Sequence, residues 1–436
     1  MARILVSAMP FTGHVTPMRA VAHALVSRGH HVRFYTGSAF RDGVEASGAS
    51  LVPWRRAPDF DETDLPAAFP RLVGKKGLQQ LLINVQDVFI ETAPAQVADL
   101  REEFDREPWD AIVGDELSLG AVLFDELEHT HLATVAVLPL HLAGSQGPPS
   151  GLGLQPGRNP VTRARDALLR AVVPLISRPI LGPLSRARAA VDLPASGLGL
   201  DRMLFSRELI IASGSPMLDF RRTDRPDELS FVGRLATPAS PAPTPAADLP
   251  PWWGDLEGRR VVHVTQGTLN TDPDDLIRPA LEALADLDAL VVVATGALGR
   301  SELPFAVPPN ARVAGFLPYA QLLPRVDTMI TNGGWGGTLA ALEHGIPLVI
   351  AGGELDKPEI AARVAWTGAG VNLRTGTPNA RQVEAGYRRI VTDPSVRQAA
   401  AGVAAELRSF GGAIRAAELI EELTAERRSP GPVVDA

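Results

Sequence analysis

The stretch that most constrains this chain is Val326–Ala351, where a short apolar run, a cluster of glycines, a short helical segment and a second apolar run follow without a gap. Met329–Thr331 has the make-up of a buried strand. Thr338–Glu343 reads as helix, closed by Gly345, and Pro347–Ala351 as the next strand. Between them Asn332–Gly337 carries four glycines, so its backbone can turn sharply and meet a ligand without Cβ interference. A glycine loop feeding a helix start gathers free N–H groups and the positive end of a helix dipole, which suits a phosphate. The same pattern also serves as an ordinary βα turn that needs glycine for packing. The stretch therefore points to a parallel α/β architecture and leaves its own chemistry open.

The rest of the chain repeats the alternation. Arg3–Ala8 reads as a buried first strand and Met9–Gly13 as a loop. Thr16 is placed to cap a helix with Pro17 at its first position; Met18, Val21, Ala22, Leu25 and Val26 then share one face until Gly29. His31–Thr36 is the second strand, so the chain opens with a βαβ unit. Asp42–Pro70 reads as irregular, Leu78–Phe104 as helical, and Pro108–Asp115, Leu132–Leu138 and Leu209–Ser213 as strands. His141–Asn159 is a long Gly- and Pro-rich loop of the kind that is often functional. Thr162–Ser177 and Pro183–Val191 read as helices. Ala236–Pro251, rich in Pro and Ala, reads as an extended linker.

After the linker the pattern restarts. Val261–Thr265 is a strand, followed by a loop, a helix from Asp272–Pro273 to about Asp286, and strands at Leu290–Ala294 and Arg312–Ala314. The glycine stretch follows, then helices at Pro358–Thr367, from Ala380, from Asp393 and over Ile414–Glu426. The expected division is an α/β domain over 1–235, a linker over 236–253 and a second α/β domain over 254–436, with a cleft between the domains. The terminal helix 414–426 is placed to pack back on the first domain.

Composition removes several function classes. Lys and Arg number 42 against 50 Asp and Glu, a net charge of −8 without basic runs, which argues against nucleic acid or an anionic membrane as partner. The absence of cysteine excludes disulfides, thiolate catalysis and Cys-ligated zinc. The N-terminal apolar run is too short for a signal peptide, and no apolar stretch approaches the ~18–20 residues of a membrane helix, so a cytoplasmic protein is expected. The G-x-S-x-G, H-E-x-x-H, G-x-x-x-x-G-K-[ST] and G-x-G-x-x-G motifs are all missing.

Two residues fall at carboxyl ends of strands, where ligands bind in such sheets: His14 after the first strand and Asp115 at the end of a later one. A histidine with a carboxylate partner makes a general base, the carboxylate fixing the tautomer and stabilising the imidazolium. The plain alternative, among nine histidines, is a backbone-bonded loop histidine and a helix-capping aspartate.

Gly13-His14-Val-Thr-Pro17, Asp115, Gly267-Thr268 and the 332–357 region together resemble the family-1 glycosyltransferases, which include bacterial antibiotic and macrolide glycosyltransferases and plant UDP-sugar transferases. The resemblance covers nearly the whole chain. It implies a GT-B fold, two Rossmann-like domains facing a cleft. It implies that His14 deprotonates the acceptor with Asp115 as its partner, and that Phe11, His141 and the 141–159 loop contact the acceptor. On the donor side it implies a UDP- or dTDP-sugar co-substrate with no metal and no further cofactor. The implied donor contacts are Gly267, Thr268, Phe316, Leu317, Asn332, Gly333, Gly334, Trp335, Gly336, Gly337, Thr338, Asp356 and Lys357; for Trp335 simple packing is the alternative.

Several of these positions depart from the family pattern. Asn332 stands where histidine is usual, and an amide donates a hydrogen bond but carries no positive charge. Ala340 stands where a glutamate reaches the ribose, with Glu343 about one turn on, and Lys357 replaces a glutamine. Loss of the ribose acid is compatible with a dTDP-sugar. The resemblance thus implies an inverting, metal-independent O-glycosyltransferase, a hexosyltransferase acting on a hydroxyl of a hydrophobic natural product such as a macrolide or polyphenol. A monomer or homodimer is expected, with no integral membrane segment. Two rivals remain: a sugar-nucleotide epimerase or hydrolase, which converts donor alone, and a non-catalytic GT-B-like auxiliary protein.

Overall fold

The structure, a computed structural model, describes residues 1–75, 77–220, 222–237, 249–267, 272–296 and 301–426. With helices of eight residues or more numbered, the first half runs β1 (Arg3–Ser7), α1 (Thr12–Ser27), β2 (His31–Thr36), β3 (Ser50–Pro53), α2 (Ala93–Arg106), β4 (Ala111–Asp115), α3 (Leu119–Glu128), β5 (Leu132–Ala136), α4 (Pro160–Ile176), α5 (Arg178–Ala189), β6 (Leu209–Ser213) and β7 (Leu229–Gly233). Every residue of β4, β5 and β6 is buried, as strands covered by helices on both faces require. The strands form one parallel sheet in the order β3-β2-β1-β4-β5-β6-β7, and the winding reverses between β1 and β4.

The second half runs β8 (Val261–Thr265), α6 (Ile277–Leu284), β9 (Leu290–Ala294), β10 (Ala311–Ala314), β11 (Thr328–Thr331), α7 (Trp335–Glu343), β12 (Leu348–Ile350), α8 (Lys357–Thr367), β13 (Gly370–Asn372), α9 (Ala380–Thr392), α10 (Pro394–Ser409) and α11 (Gly412–Glu426). Its parallel sheet has the order β10-β9-β8-β11-β12-β13, with the reversal between β8 and β11. These are the two Rossmann-like units of a GT-B fold. The terminal helix crosses back: Ala413, Ala416, Ala417, Ile420 and Leu423 of α11 share a core with Val15, Met18 and Val21 of α1. Arg28 at 2.6 Å and His30 at 2.7 Å clasp Glu421. The Arg28 hydrogen bond leads in holding that carboxyl down to about 2.

Several local expectations need correction. Helix α1 begins at Thr12, not after Thr16, because Phe11 O accepts the N–H of His14 and Val15 at 2.9 and 2.8 Å. His14 is therefore in the first helical turn, and Pro17, close to the start, costs only one intrahelical bond. Asp42–Pro70 contains β3, a four-residue edge strand that ends in proline, where an edge tolerates it. Leu78–Phe104 is not one helix: a π-helical stretch over Asn84–Ile90 precedes α2. Helix α5 starts at Arg178, with Pro179 in its first turn. Helix α6 starts at Ile277, whose N–H bonds to Gln266 Oε1 at 3.0 Å. Most of the linker, 238–248, lies outside the described residues. Among the described residues no single helix is long and apolar enough to cross a membrane; α4 and α5 reach that length only as a pair bent by 49°.

Candidate active site

The two reversal points face each other across a cavity of about 2180 Å³ lined from both halves. On the first side, Ser7 pairs with Gly114, so the segment after β1 and the end of β4 emerge side by side. This brings His14 Nδ1 to 3.3 Å from Asp115 Oδ2, both residues buried. The two atoms are close but not aligned as a hydrogen bond. The carboxylate itself is fixed: Oδ2 accepts the Met9 N–H and Oδ1 the Leu117 N–H, each at 2.7 Å. The other ring nitrogen of His14 belongs to a side chain that lines the cavity.

Glu116 is the residue that sequence reasoning missed here. It is buried, and its two oxygens accept the N–H groups of Val137 at 2.9 Å and Leu138 at 2.8 Å. Burial pushes its carboxyl up to about 7. Burial alone would lower the His14 pKa, but the charge of Asp115, then those of Glu116 and Asp356, outweigh it and lift the ring from 6.5 to about 9. His14, Asp115 and Glu116 have ligand atoms within 4.8 Å of one another. Each of the four carboxylate oxygens accepts a backbone N–H, so the two acids are held in place by the chain itself. The only sequence signal for Glu116 is a second acid directly after the strand.

On the second side, Thr265 and Thr331 end adjacent strands. Gln266 and Asn332 follow them, both buried, and the Asn332 amide donates to the backbone carbonyl of Gln266, tying the two loops together. Gly333 sits at φ 90°, and a Cβ there would come within 2.7 Å of Ile350 Cγ2, so only glycine fits. Helix α7 already begins at Trp335, so Trp335, Gly336 and Gly337 are helical and not loop, and Thr338 lies one turn into the helix instead of at its start. The first intrahelical bond is Thr338 N–H to Gly334 O, at 2.9 Å. The N–H groups of Trp335, Gly336 and Gly337 precede it and have no partner within the helix. All three residues line the cavity.

The other expected donor contacts divide. Gly267, Gly334, Asp356 and Lys357 line the cavity. Burial raises the Asp356 carboxyl and lowers the Lys357 ammonium. Asp356 stands at the N-cap of α8, makes no capping hydrogen bond with its side chain and lines the cavity. Other side chains of this half are placed away from the cavity or taken by protein partners. Thr338 is fully buried and turned away, because the early helix start rotates it into the core. The Leu317 side chain packs in the core with Leu322 and Leu323, which leaves its backbone groups as the part open to a ligand, and the Phe316 ring is half exposed. Glu343 cannot replace the missing ribose acid, because Arg234 holds it at 2.7 Å. The indole of Trp335 is a packing group: its N–H donates to Ser213 Oγ at 2.9 Å, and its ring covers Gly214 of the first half. Thr268 lies outside the described residues.

On the expected acceptor side, the Phe11 ring lies 5.9 Å from the His14 ring and stands with Phe60 and Phe89 as an aromatic wall. His141 lines the cavity and stays neutral, pushed down to about 4 by burial, then by the charges of Arg363 and His14. Asn84, in the π-helical stretch, also lines the cavity, and its Oδ1 is buried without a partner. Nothing in the local pattern marked Asn84 or Arg363.

Comparisons with known proteins bear on the family and the fold. Residues 278–423 match the family described as erythromycin biosynthesis protein CIII-like, C-terminal domain. The chain is 40% identical to 4'-demethylrebeccamycin synthase of Lentzea aerocolonigenes, over 97% of this chain and 99% of that one. It is 32% identical to UDP-glucosyltransferase B1 of Starmerella bombicola, over 93% and 95% of the two chains. Among solved structures, the glycosyltransferase of kitacinnamycin superposes with a TM-score of 0.74 at 23% identity, covering 97% of this chain and 99% of that one.

Proposed function

The chain belongs to the natural-product glycosyltransferases of GT-B fold, and from that premise we propose that it is an inverting O-glycosyltransferase moving a hexose from a UDP- or dTDP-sugar to a hydroxyl of a hydrophobic small molecule. One observation carries the proposal: a buried histidine–aspartate pair at one reversal point faces an open helix start at the other. His14, oriented by Asp115, takes the proton of the acceptor hydroxyl as that oxygen attacks the anomeric carbon from the face opposite the nucleotide. The bond from the anomeric carbon to the diphosphate breaks, and the configuration inverts. The departing diphosphate gains its charge beside the N–H groups of Trp335, Gly336 and Gly337 and the positive end of α7, a stabilisation that needs no metal. Asp356, whose charge reaches His14, is placed for a hydroxyl of the sugar.

The walls of the first half support a hydrophobic acceptor. Phe11, Phe89, Leu138 and Leu142 line a broad apolar chamber, which suits a macrolide or polyphenol better than a sugar or peptide. The test is His14→Ala. Transfer is expected to stop while UDP or dTDP binding, read by calorimetry, stays within about twofold; an active H14A enzyme removes the base assignment. NMR of the product reads the inverted anomeric configuration directly. Donor incubated without acceptor is expected to survive; rapid conversion would favour an epimerase or hydrolase.

A further inference from the structure

Helix α8 starts at the cavity with Asp356 and Lys357, and its next turns are buried against the other half of the molecule. Glu359 and Arg363, one turn apart on this helix, are 2% and 3% exposed and are joined Oε1 to Nε at 3.0 Å. Both reach across the cleft. Glu359 Oε2 accepts the N–H of Gly151 at 3.2 Å and of Gly153 at 3.0 Å. The Arg363 guanidinium donates to Leu140 O at 2.8 Å, to Ser150 Oγ at 3.2 Å and to Asp219 Oδ1 at 3.1 Å. Segment 137–159 has neither helix nor strand, so its backbone groups need outside partners, and α8 provides several of them. At Gly153, φ is 64° and a Cβ would come within 2.8 Å of Pro358 Cβ, so this loop lies directly on the first turn of α8. Charges this deeply buried are costly unless fully paired, and an apolar contact would hold the two halves together at less cost. What the ion pair adds is a stiff, directional tie.

We propose that Glu359 and Arg363 are positioning residues that tie the 140–153 loop to the helix that meets the donor sugar, so that filling the donor site sets the affinity for the acceptor. This rests on the donor reading of Asp356 and Lys357 given above. Helix α8 is the rigid element: its first turn faces the sugar, and Arg363, roughly 10 Å further along at 1.5 Å per residue, holds Leu140 beside His141. By linkage the coupling runs both ways, and acceptor tightens donor by the same factor.

The test uses the full chain, with UDP-glucose and dTDP-glucose as the nucleotide probes, and the variants Glu359→Gln and Arg363→Lys. Calorimetry reads nucleotide affinity, and hydrogen exchange follows the amides of 140–153 with and without saturating nucleotide. In the unmodified protein, nucleotide is expected to slow exchange in this loop several-fold. E359Q is expected to bind nucleotide within about twofold of that value yet lose the protection. R363K recovers part of it, because an ammonium keeps the charge but makes fewer bonds. In turnover with a polyphenol, the acceptor KM at saturating donor and the donor KM at saturating acceptor both rise about tenfold in E359Q, while nucleotide affinity without acceptor holds, a size within the usual range of coupling between sites. Protection and acceptor KM unchanged in E359Q overturn the proposal, as does a loop left unprotected when nucleotide is bound to the unmodified protein. Should E359Q not fold, Gly153→Ala, which lifts the loop from Pro358 with both charges kept, is read the same way. If the unmodified protein binds neither nucleotide, the donor reading fails and takes the coupling with it; nucleotide binding without loop protection removes the coupling alone.

Discussion

The two halves share a winding order and a reversal point, yet they fill that point with opposite chemistry. In the first half the crevice holds buried side-chain charge: His14, Asp115 and Glu116. In the second it holds backbone: Gly267, Gly333 and the open first turn of α7. Proton transfer needs a titratable group tuned by its neighbours, whereas a leaving diphosphate needs donors that do not titrate at all. One topology thus serves both tasks by changing a handful of residues just past the strand ends.

Four experiments can break or sharpen this contrast. The largest effect is expected on the side-chain half: His14→Ala is predicted to lower kcat by about 10³-fold, and Asp115→Asn by about 10²-fold, with nucleotide affinity retained in both. On the backbone half, Gly336→Asp is sterically free, since nothing lies within 4 Å of a Cβ there. A carboxylate at a helix start favours the fold but repels diphosphate, so nucleotide Kd is predicted to rise at least about tenfold with Tm unchanged or higher. An equal loss of nucleotide affinity in H14A and G336D would collapse the division of labour.

The third experiment is a pH profile. Because His14 is raised from 6.5 to about 9, kcat/KM is expected to climb with pH through that window and level off above it. Glu116→Gln removes a charge that raises the ring, so the rising limb should move to lower pH; a limb that stays put would exclude Glu116 from the tuning. The linkage has the matching sign: the stability contributed by protonated His14 is complete below 6.5 and is lost as pH rises through about 9. The smallest effect is expected from Trp335→Phe. Losing its bond to Ser213 should cost about 1 kcal/mol of stability and leave nucleotide affinity as it was.

The strands were legible where they are continuous apolar runs buried on both faces, as in β4 and β8. Strand β3 is four residues long and ends at an edge in Pro53, and three of the five residues of β7 are only half-buried, so neither stands out from a loop. Asp115 could be found because it ends a strand, and His14 because it follows the first strand by one short loop. Glu116 could not, because nothing local says that a second carboxylate will be buried on two backbone N–H groups. Thr338 was misplaced for a geometric reason. Its hydroxyl would point at a phosphate only if the helix began there, and the helix begins one turn earlier. Arg363 and Glu359 act across the cleft, on partners more than 200 residues away for Gly151, Gly153 and Leu140, and a helix pattern carries no record of such contacts.

The return of α11 to the first half means that the backbone passes between the halves twice. The two passages touch: a Cβ on Gly412, at φ 61°, would come within 2.7 Å of Arg234 O, and one on Gly233 within 2.6 Å of Leu407 O. The two halves therefore meet at one shared seam beside Gly233 and Gly412, where a side chain larger than glycine would press on both passages at once.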